Sequence, residues 1–183
     1  VRAFVAVVPP PSSLAPLVAA VERLRAPGAS WVPPERLHVT LVFLGEVADP
    51  MPYGASLAEA VRDVEPFALR VEGGGAFPRP ARPRVLWAGV DGDVEALRRL
   101  ARLARRAARE HRIDVERTPF VPHVTVARVR DRAYDGTPAV AALDAVGGDE
   151  WTVGDVVLMR SVLGPRPSYE PLLRCPLGGG RVS

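Results

Sequence analysis

The tripeptide His-Val-Thr occurs twice, at His38–Thr40 and at His123–Thr125, and each copy closes the same succession of elements. The first stretch begins with an apolar strand, Ala3 to Val8. A helical pattern follows, with Leu14, Leu17, Val18, Val21 and Leu24 at spacings of three and four and Ser12 or Ser13 placed to cap it. Pro27-Gly28 ends that helix, and a strand from Leu37 to Leu44 carries the motif. The second stretch begins with a strand from Arg84 to Val90, and the turn Asp91-Gly92-Asp93 offers an N-cap. Its helix turns Val94, Leu97, Leu100, Ala101, Leu103, Ala104, Ala107 and Ala108 to one face and arginines to the other, and the strand Val121 to Val129 carries the second motif.

A second helix (54–64 and 138–146) and a further strand (67–72 and 152–162) follow each motif, which reads as internal duplication. The expected fold class is α+β, one domain spanning 1–183. It would be bilobal, with two pseudo-twofold-related lobes whose antiparallel sheets face a central cleft and whose helices lie outside. Gly73 to Arg84, rich in Gly, Pro and Arg, is the expected connection between lobes, and Gly178 to Ser183 the expected disordered tail.

Residues two apart on a strand share a face. His38 and Thr40 therefore point one way, as do His123 and Thr125, so each strand offers an imidazole and a hydroxyl to one surface. One such pair alone is ordinarily structural, satisfying its own hydrogen bonds. Two copies at equivalent places in a duplication can meet at the pseudo-twofold axis. Paired histidines suit displacement at phosphorus: the neutral one takes a proton from water and the protonated one gives a proton to the leaving oxygen. The hydroxyls can donate to the non-bridging oxygens as their charge grows. That chemistry needs no divalent ion, and no carboxylate-rich or multi-histidine cluster appears in the sequence, so neither metal nor cofactor is expected.

These paired His-x-Thr motifs resemble the 2H phosphoesterase superfamily, and the fuller pattern is similar to its RNA 2′,3′-cyclic phosphodiesterase branch, the LigT or ThpR-like proteins once called 2′-5′ RNA ligases. The resembling segments are Arg2–Val8, Trp31–Glu46, Phe77–Trp87, Pro119–Arg128 and Leu158–Ser161, with Tyr169 beyond. The resemblance implies opening of a terminal 2′,3′-cyclic phosphate to a 2′-phosphate, with 2′-5′ ligation as a side activity. It implies His38 as the proton donor to the leaving 3′-oxygen, His123 as the proton acceptor from water, and Thr40 and Thr125 on the phosphoryl oxygens. It places Arg128 near the phosphate and Phe43 near the base. Strict alternation argues against these last two, since each lies five residues after its histidine, on the opposite face, unless a bulge intervenes. The other reading leaves Phe43 in the core and Arg128 solvated or ion-paired.

The expected partner is RNA or an oligonucleotide ending in a 2′,3′-cyclic phosphate, and the expected state is a monomer. The net charge of +3 suits an anionic partner, but the absence of lysine, asparagine and glutamine fits a G+C-rich coding sequence, which weakens the inference. Arg79, Arg82 and Arg84 could steer RNA or form a solvated loop. Trp31 and Tyr169 could stack bases or anchor packing. His111 reads as a helix-end histidine without a catalytic part, and Cys175, the single cysteine, as a core thiol. No apolar run is long enough to span a bilayer and the N-terminus lacks a signal-peptide pattern, so a cytoplasmic location is expected. A nucleotide-binding module without turnover, or a phosphodiesterase of small cyclic nucleotides, are the rival readings. No Gly-x-Ser-x-Gly elbow or phosphate-binding loop supports a serine hydrolase or a nucleoside-triphosphate enzyme.

Overall fold

Five of the six residues of the first strand, β1 (Arg2–Val7), are buried, on both of its faces, and that places it inside a sheet rather than at an edge. The structure, a computed structural model, describes Val1–Ser183 throughout. After β1 come α1 (Pro11–Leu24), β2 (Ala29–Trp31), a 3-10 turn (Pro34–Arg36), β3 (Val39–Glu46) and α2 (Met51–Val61). Next are β4 (Phe67–Phe77), β5 (Val85–Gly92), α3 (Val94–Glu110), β6 (His123–Val129) and α4 (Thr137–Asp144). The chain ends with β7 (Trp151–Val153), β8 (Asp155–Val162) and β9 (Ser168–Pro176).

All nine strands pair antiparallel in one sheet of order β7-β4-β5-β6-β3-β1-β8-β9, with β2 beside β6. Only Val39↔Val124 joins β3 to β6 at the middle, and it divides the sheet into β3-β1-β8-β9 on one side and β7-β4-β5-β6, with β2 added to β6, on the other. The fold is thus the duplicated α+β arrangement read from the sequence, with the two expected sheets fused at a single pair. The halves are not consecutive pieces of chain, however. β4 leaves the first repeat to pair with β5, and β8 leaves the second to pair with β1. Likewise α1 packs on β4, and α3 on β3.

This exchange corrects the expected linker. Gly73 to Phe77 belongs to β4, and Pro78 to Arg84 is the turn between β4 and β5 within one half. The glycines make room for close packing, Gly75 across that hairpin and Gly74 against α4. A Cβ on Gly75 would lie 2.2 Å from the Trp87 ring, and one on Gly74 2.4 Å from the Leu143 Cβ. The expected cap of α1 also differs: Pro10 holds the cap position with Pro11 beginning the helix, and Ser13 is buried. Asp93 does cap α3, accepting the Ala96 N–H at 3.0 Å. Gly178 to Ser183, expected as a disordered tail, folds back on the protein. The Gly178 and Gly179 amides donate to the Val64 and Arg62 carbonyls at 2.8 and 2.9 Å, and the Ser183 amide to Arg174 at 3.0 Å.

Every helix sets at least one fully buried leucine against the same face of the sheet: Leu17, Leu57, Leu97 and Leu143. Each contributes ~1.5–3 kcal/mol relative to exposure. On the opposite face the buried apolar residues form one small cluster, Phe4, Ala6, Val157 and Met159, with Tyr169 against it. One face holds the fold together, and the other is left for chemistry.

Candidate active site

Val39 and Val124 both point into the core, so the residues flanking them point out of it on the other face. Those residues are His38 and Thr40, and His123 and Thr125. Carrying the antiparallel register one step either way sets His38 across from Thr125 and Thr40 across from His123. The pseudo-twofold axis therefore passes between the two valines and through the middle of the four polar groups.

Both imidazoles are anchored in the same manner. His38 Nδ1 lies 2.7 Å from the Arg36 carbonyl and His123 Nδ1 lies 2.6 Å from the Val121 carbonyl. A carbonyl can only accept, so each Nδ1 carries the proton and each Nε2 is left to exchange one. His38 Nε2 is 2.8 Å from Thr40 Oγ1, whereas the second motif has the Nδ1 contact without this Nε2 contact. The rings are further held by aromatic neighbours. Phe4 and Tyr169 lie with centroids 5.0 and 5.2 Å from His38, and Phe77 and Trp87 lie 5.1 and 6.1 Å from His123.

A bulge in each motif strand decides the fate of Phe43 and Arg128. Along β1, Ala6 faces Thr40 but Val5 faces Val42, so Leu41 is an extra residue. Along β5, Trp87 faces Thr125 but Leu86 faces Ala127, so Val126 is extra. Each bulge falls on the third residue after its histidine. It sends two successive side chains, Leu41 and Val42 or Val126 and Ala127, into the core. The residue that follows, Phe43 or Arg128, then lies on the face opposite to the one strict alternation gives it. Phe43 comes opposite Phe4, with ring centroids 6.1 Å apart, and stays 57% exposed. Arg128 comes opposite Val85, on the face of Thr125. Both residues that strict alternation set on the wrong face thus share a face with the histidines.

Burial lowers the pKa of both histidines, and the backbone acceptors partly oppose it. Arg128 lowers both further, while His38 also feels His123 and Arg36. No ion pair of the protein engages Arg36 or Arg128. Positive charge gathered without a carboxylate, and opposed by desolvation, is an arrangement that an anion between the two rings would relieve. No three His, Cys, Asp or Glu side chains come together as a metal site.

The remaining candidates lie elsewhere or have other tasks. Trp31 faces Ala127 across β2 and β6 and packs on the core side, so it is not available to stack a base here. Tyr169 stays at the site, with the Arg36 guanidinium 5.7 Å from its ring centre. Arg79, Arg82 and Arg84 are exposed in and beside the β4–β5 turn, next to Phe77. His111 caps α3, with Nε2 2.8 Å from Ser56 Oγ on the helical side. Cys175 is buried, and burial pushes its thiol up to about 11. Sequence reasoning passed over Phe4, Arg36 and Trp87. Trp87 could have been found by its register in the strand that pairs with the second motif.

A family model described as the 2′-5′ RNA ligase superfamily matches residues 9–165. A Thermus thermophilus protein named RNA 2′,3′-cyclic phosphodiesterase is 36% identical over 189 residues, covering 97% of this chain and 91% of its own. A crystal structure of a Thermus thermophilus protein superposes with a TM-score of 0.82 at 34% identity, covering 99% of this chain and 100% of the other. Escherichia coli LigT complexed with 3′-AMP superposes with a TM-score of 0.78 at 27% identity, covering 96% and 97%.

Proposed function

This chain belongs to the 2′-5′ RNA ligase superfamily, and on that premise we propose that it hydrolyses a terminal 2′,3′-cyclic phosphate of RNA to a 2′-phosphate. The observation that carries the reading is the pair of imidazoles about Val39 and Val124, each anchored through Nδ1 with Nε2 left to act. The relatives named RNA 2′,3′-cyclic phosphodiesterase supply the substrate class.

Cyclic phosphate occupies the space between the rings. Neutral His123 accepts a proton at Nε2 from a water molecule as its oxygen forms a bond to phosphorus. The bond from phosphorus to the 3′-oxygen breaks in line with that attack, and protonated His38 gives the Nε2 proton to the departing oxygen. The product keeps phosphate on the 2′-oxygen and a free 3′-hydroxyl. Histidine protonation is exchanged over the turnover and reset through solvent. Thr40, Thr125 and Arg128 stabilise the charge growing on the non-bridging oxygens. Phe43 and Tyr169 offer faces to the terminal base. With a 5′-hydroxyl attacking in place of water, and the 3′-oxygen again leaving with the His38 proton, the same geometry forms a 2′-5′ linkage, which we assign as a side activity. One chain supplies both histidines, so the unit of function in this reading is a monomer.

The test is a short RNA ending in a 2′,3′-cyclic phosphate, incubated with and without EDTA, with the position of the product phosphate determined. A 2′-phosphate formed equally in both is the expected result. A 3′-phosphate would reverse the assignment of the leaving oxygen. Binding without turnover would replace the enzyme by a nucleotide-binding module.

A further inference from the structure

The two histidines share a tautomer but not the means of fixing it. The carbonyl that anchors His38 belongs to Arg36, the last residue of a local 3-10 turn held by the Arg36 and Leu37 amides on Pro33 and Pro34 at 2.9 and 3.2 Å. The carbonyl that anchors His123 belongs to Val121, in a segment between α3 and β6 without regular structure of its own.

That segment is tied to the far side of the sheet. Arg98 Nη1 donates to the Phe120 carbonyl at 2.9 Å and Arg105 Nη1 donates to the Thr118 carbonyl at 2.8 Å. The two arginines are seven residues apart on α3, two helical turns, so they present one ladder to the segment. Pro119 and Pro122 favour extended backbone at Thr118 and Val121. Successive carbonyls of extended chain point in opposite directions. Holding the Thr118 and Phe120 carbonyls against α3 therefore turns the Val121 carbonyl the other way, toward His123.

We propose that Arg98 and Arg105 are positioning residues that act through the Thr118–Val121 backbone to fix the orientation of His123. This rests on the two-histidine reading above and deepens it: the histidine of the second motif is held from α3, and His38 is not. Arg99 and Arg102, exposed on the same helix, make no such bond to the segment and act as internal controls.

The experiment compares the wild type with Arg98→Met, Arg98→Lys, Arg105→Met and the control Arg99→Met. Turnover of a nucleoside 2′,3′-cyclic phosphate is measured alongside titration of both ring signals by NMR. The Val121 acceptor raises the pKa of His123, so its loss should lower that value further, while His38 keeps its own Arg36 acceptor and responds only through the charge of His123, in the opposite direction. For Arg98→Met the expected results are a fall in kcat of about tenfold to a hundredfold with KM within about twofold. The titration of His123 should move down and by more than that of His38, and Arg98→Lys should recover part of both effects. Unchanged kcat and unchanged His123 titration would overturn the proposal, as would an equal shift of both histidines together with general loss of stability. The NMR arm needs no turnover, so failure of the clamp is distinguishable from failure of the proposed reaction, which His123→Ala in the same assay reports.

Discussion

Val39 faces Val124 in the single paired position that joins the two halves of the sheet, and the residues on either side of that pair are the two histidines and two threonines. Both valines are fully buried. The separation of the catalytic candidates is therefore set by core packing rather than by a mobile loop, and any change in how the halves meet is felt at the site.

The pH dependence follows from the lowered histidines. Burial is the first cause for each, and Arg128 adds to it for both. The kcat/KM profile should be bell-shaped, since one ring must be neutral and the other protonated, and its centre should lie below 6.5, the ordinary histidine value. Measurement with a nucleoside 2′,3′-cyclic phosphate checks this; a maximum above neutral pH would contradict it. Stability should move the same way. Below the ordinary value the unfolded chain binds more protons at these sites than the folded one, so stability falls as pH drops through the lowered folded values. Replacing both histidines by alanine should flatten that part of the thermal-stability curve.

Because the bulges at Leu41 and Val126 turn Phe43 and Arg128 toward the histidines, both should matter to catalysis more than to folding. Phe43→Ala should change stability by no more than about 0.5 kcal/mol, as for an exposed side chain. It should raise KM for a nucleoside cyclic phosphate with little effect on kcat. Arg128→Met should lower kcat/KM by about a hundredfold through loss of transition-state charge stabilisation. Denaturant unfolding with steady-state kinetics separates the two expectations.

Gly75 lies under the Trp87 indole, which in turn borders His123. Gly75→Ala should displace that ring, destabilising the protein by ~1–3 kcal/mol as overpacking does. It should lower kcat, while Gly147→Ala, where a Cβ meets nothing within 4 Å, should do neither. Thermal melts and turnover of the two variants give the comparison.

The acid and base are separable by the leaving group. A cyclic substrate with sulfur in place of the 3′-oxygen leaves without needing a proton. His38→Ala should regain activity on it relative to the natural substrate, and His123→Ala should not. The opposite pattern would exchange the two roles.

The duplicated motifs, the shared face of each His-Thr pair and the capping by Asp93 were legible because they are local: period, spacing and side-chain chemistry decide them. The exchange of β4 and β8 between repeats was not, because strand pairing depends on which surfaces bury best together in three dimensions. Gly73-Gly-Gly75 looked like a linker because glycine marks turns; here it sits in a paired strand and yields space to Trp87 and Leu143. The bulges left a faint trace in the successive core residues Leu41-Val42 and Val126-Ala127, which break alternation at the same place in both repeats. A search for that break would have set Phe43 and Arg128 on the right face.

The central claim is that His38 and His123 act as one unit on a cyclic phosphate. Single-turnover rates for His38→Ala, His123→Ala and the double variant on RNA with a 2′,3′-cyclic end test it most directly. The account predicts that each single substitution loses nearly as much rate as both together, a strongly non-additive cycle. Additive losses, or turnover that survives the double substitution, would contradict it.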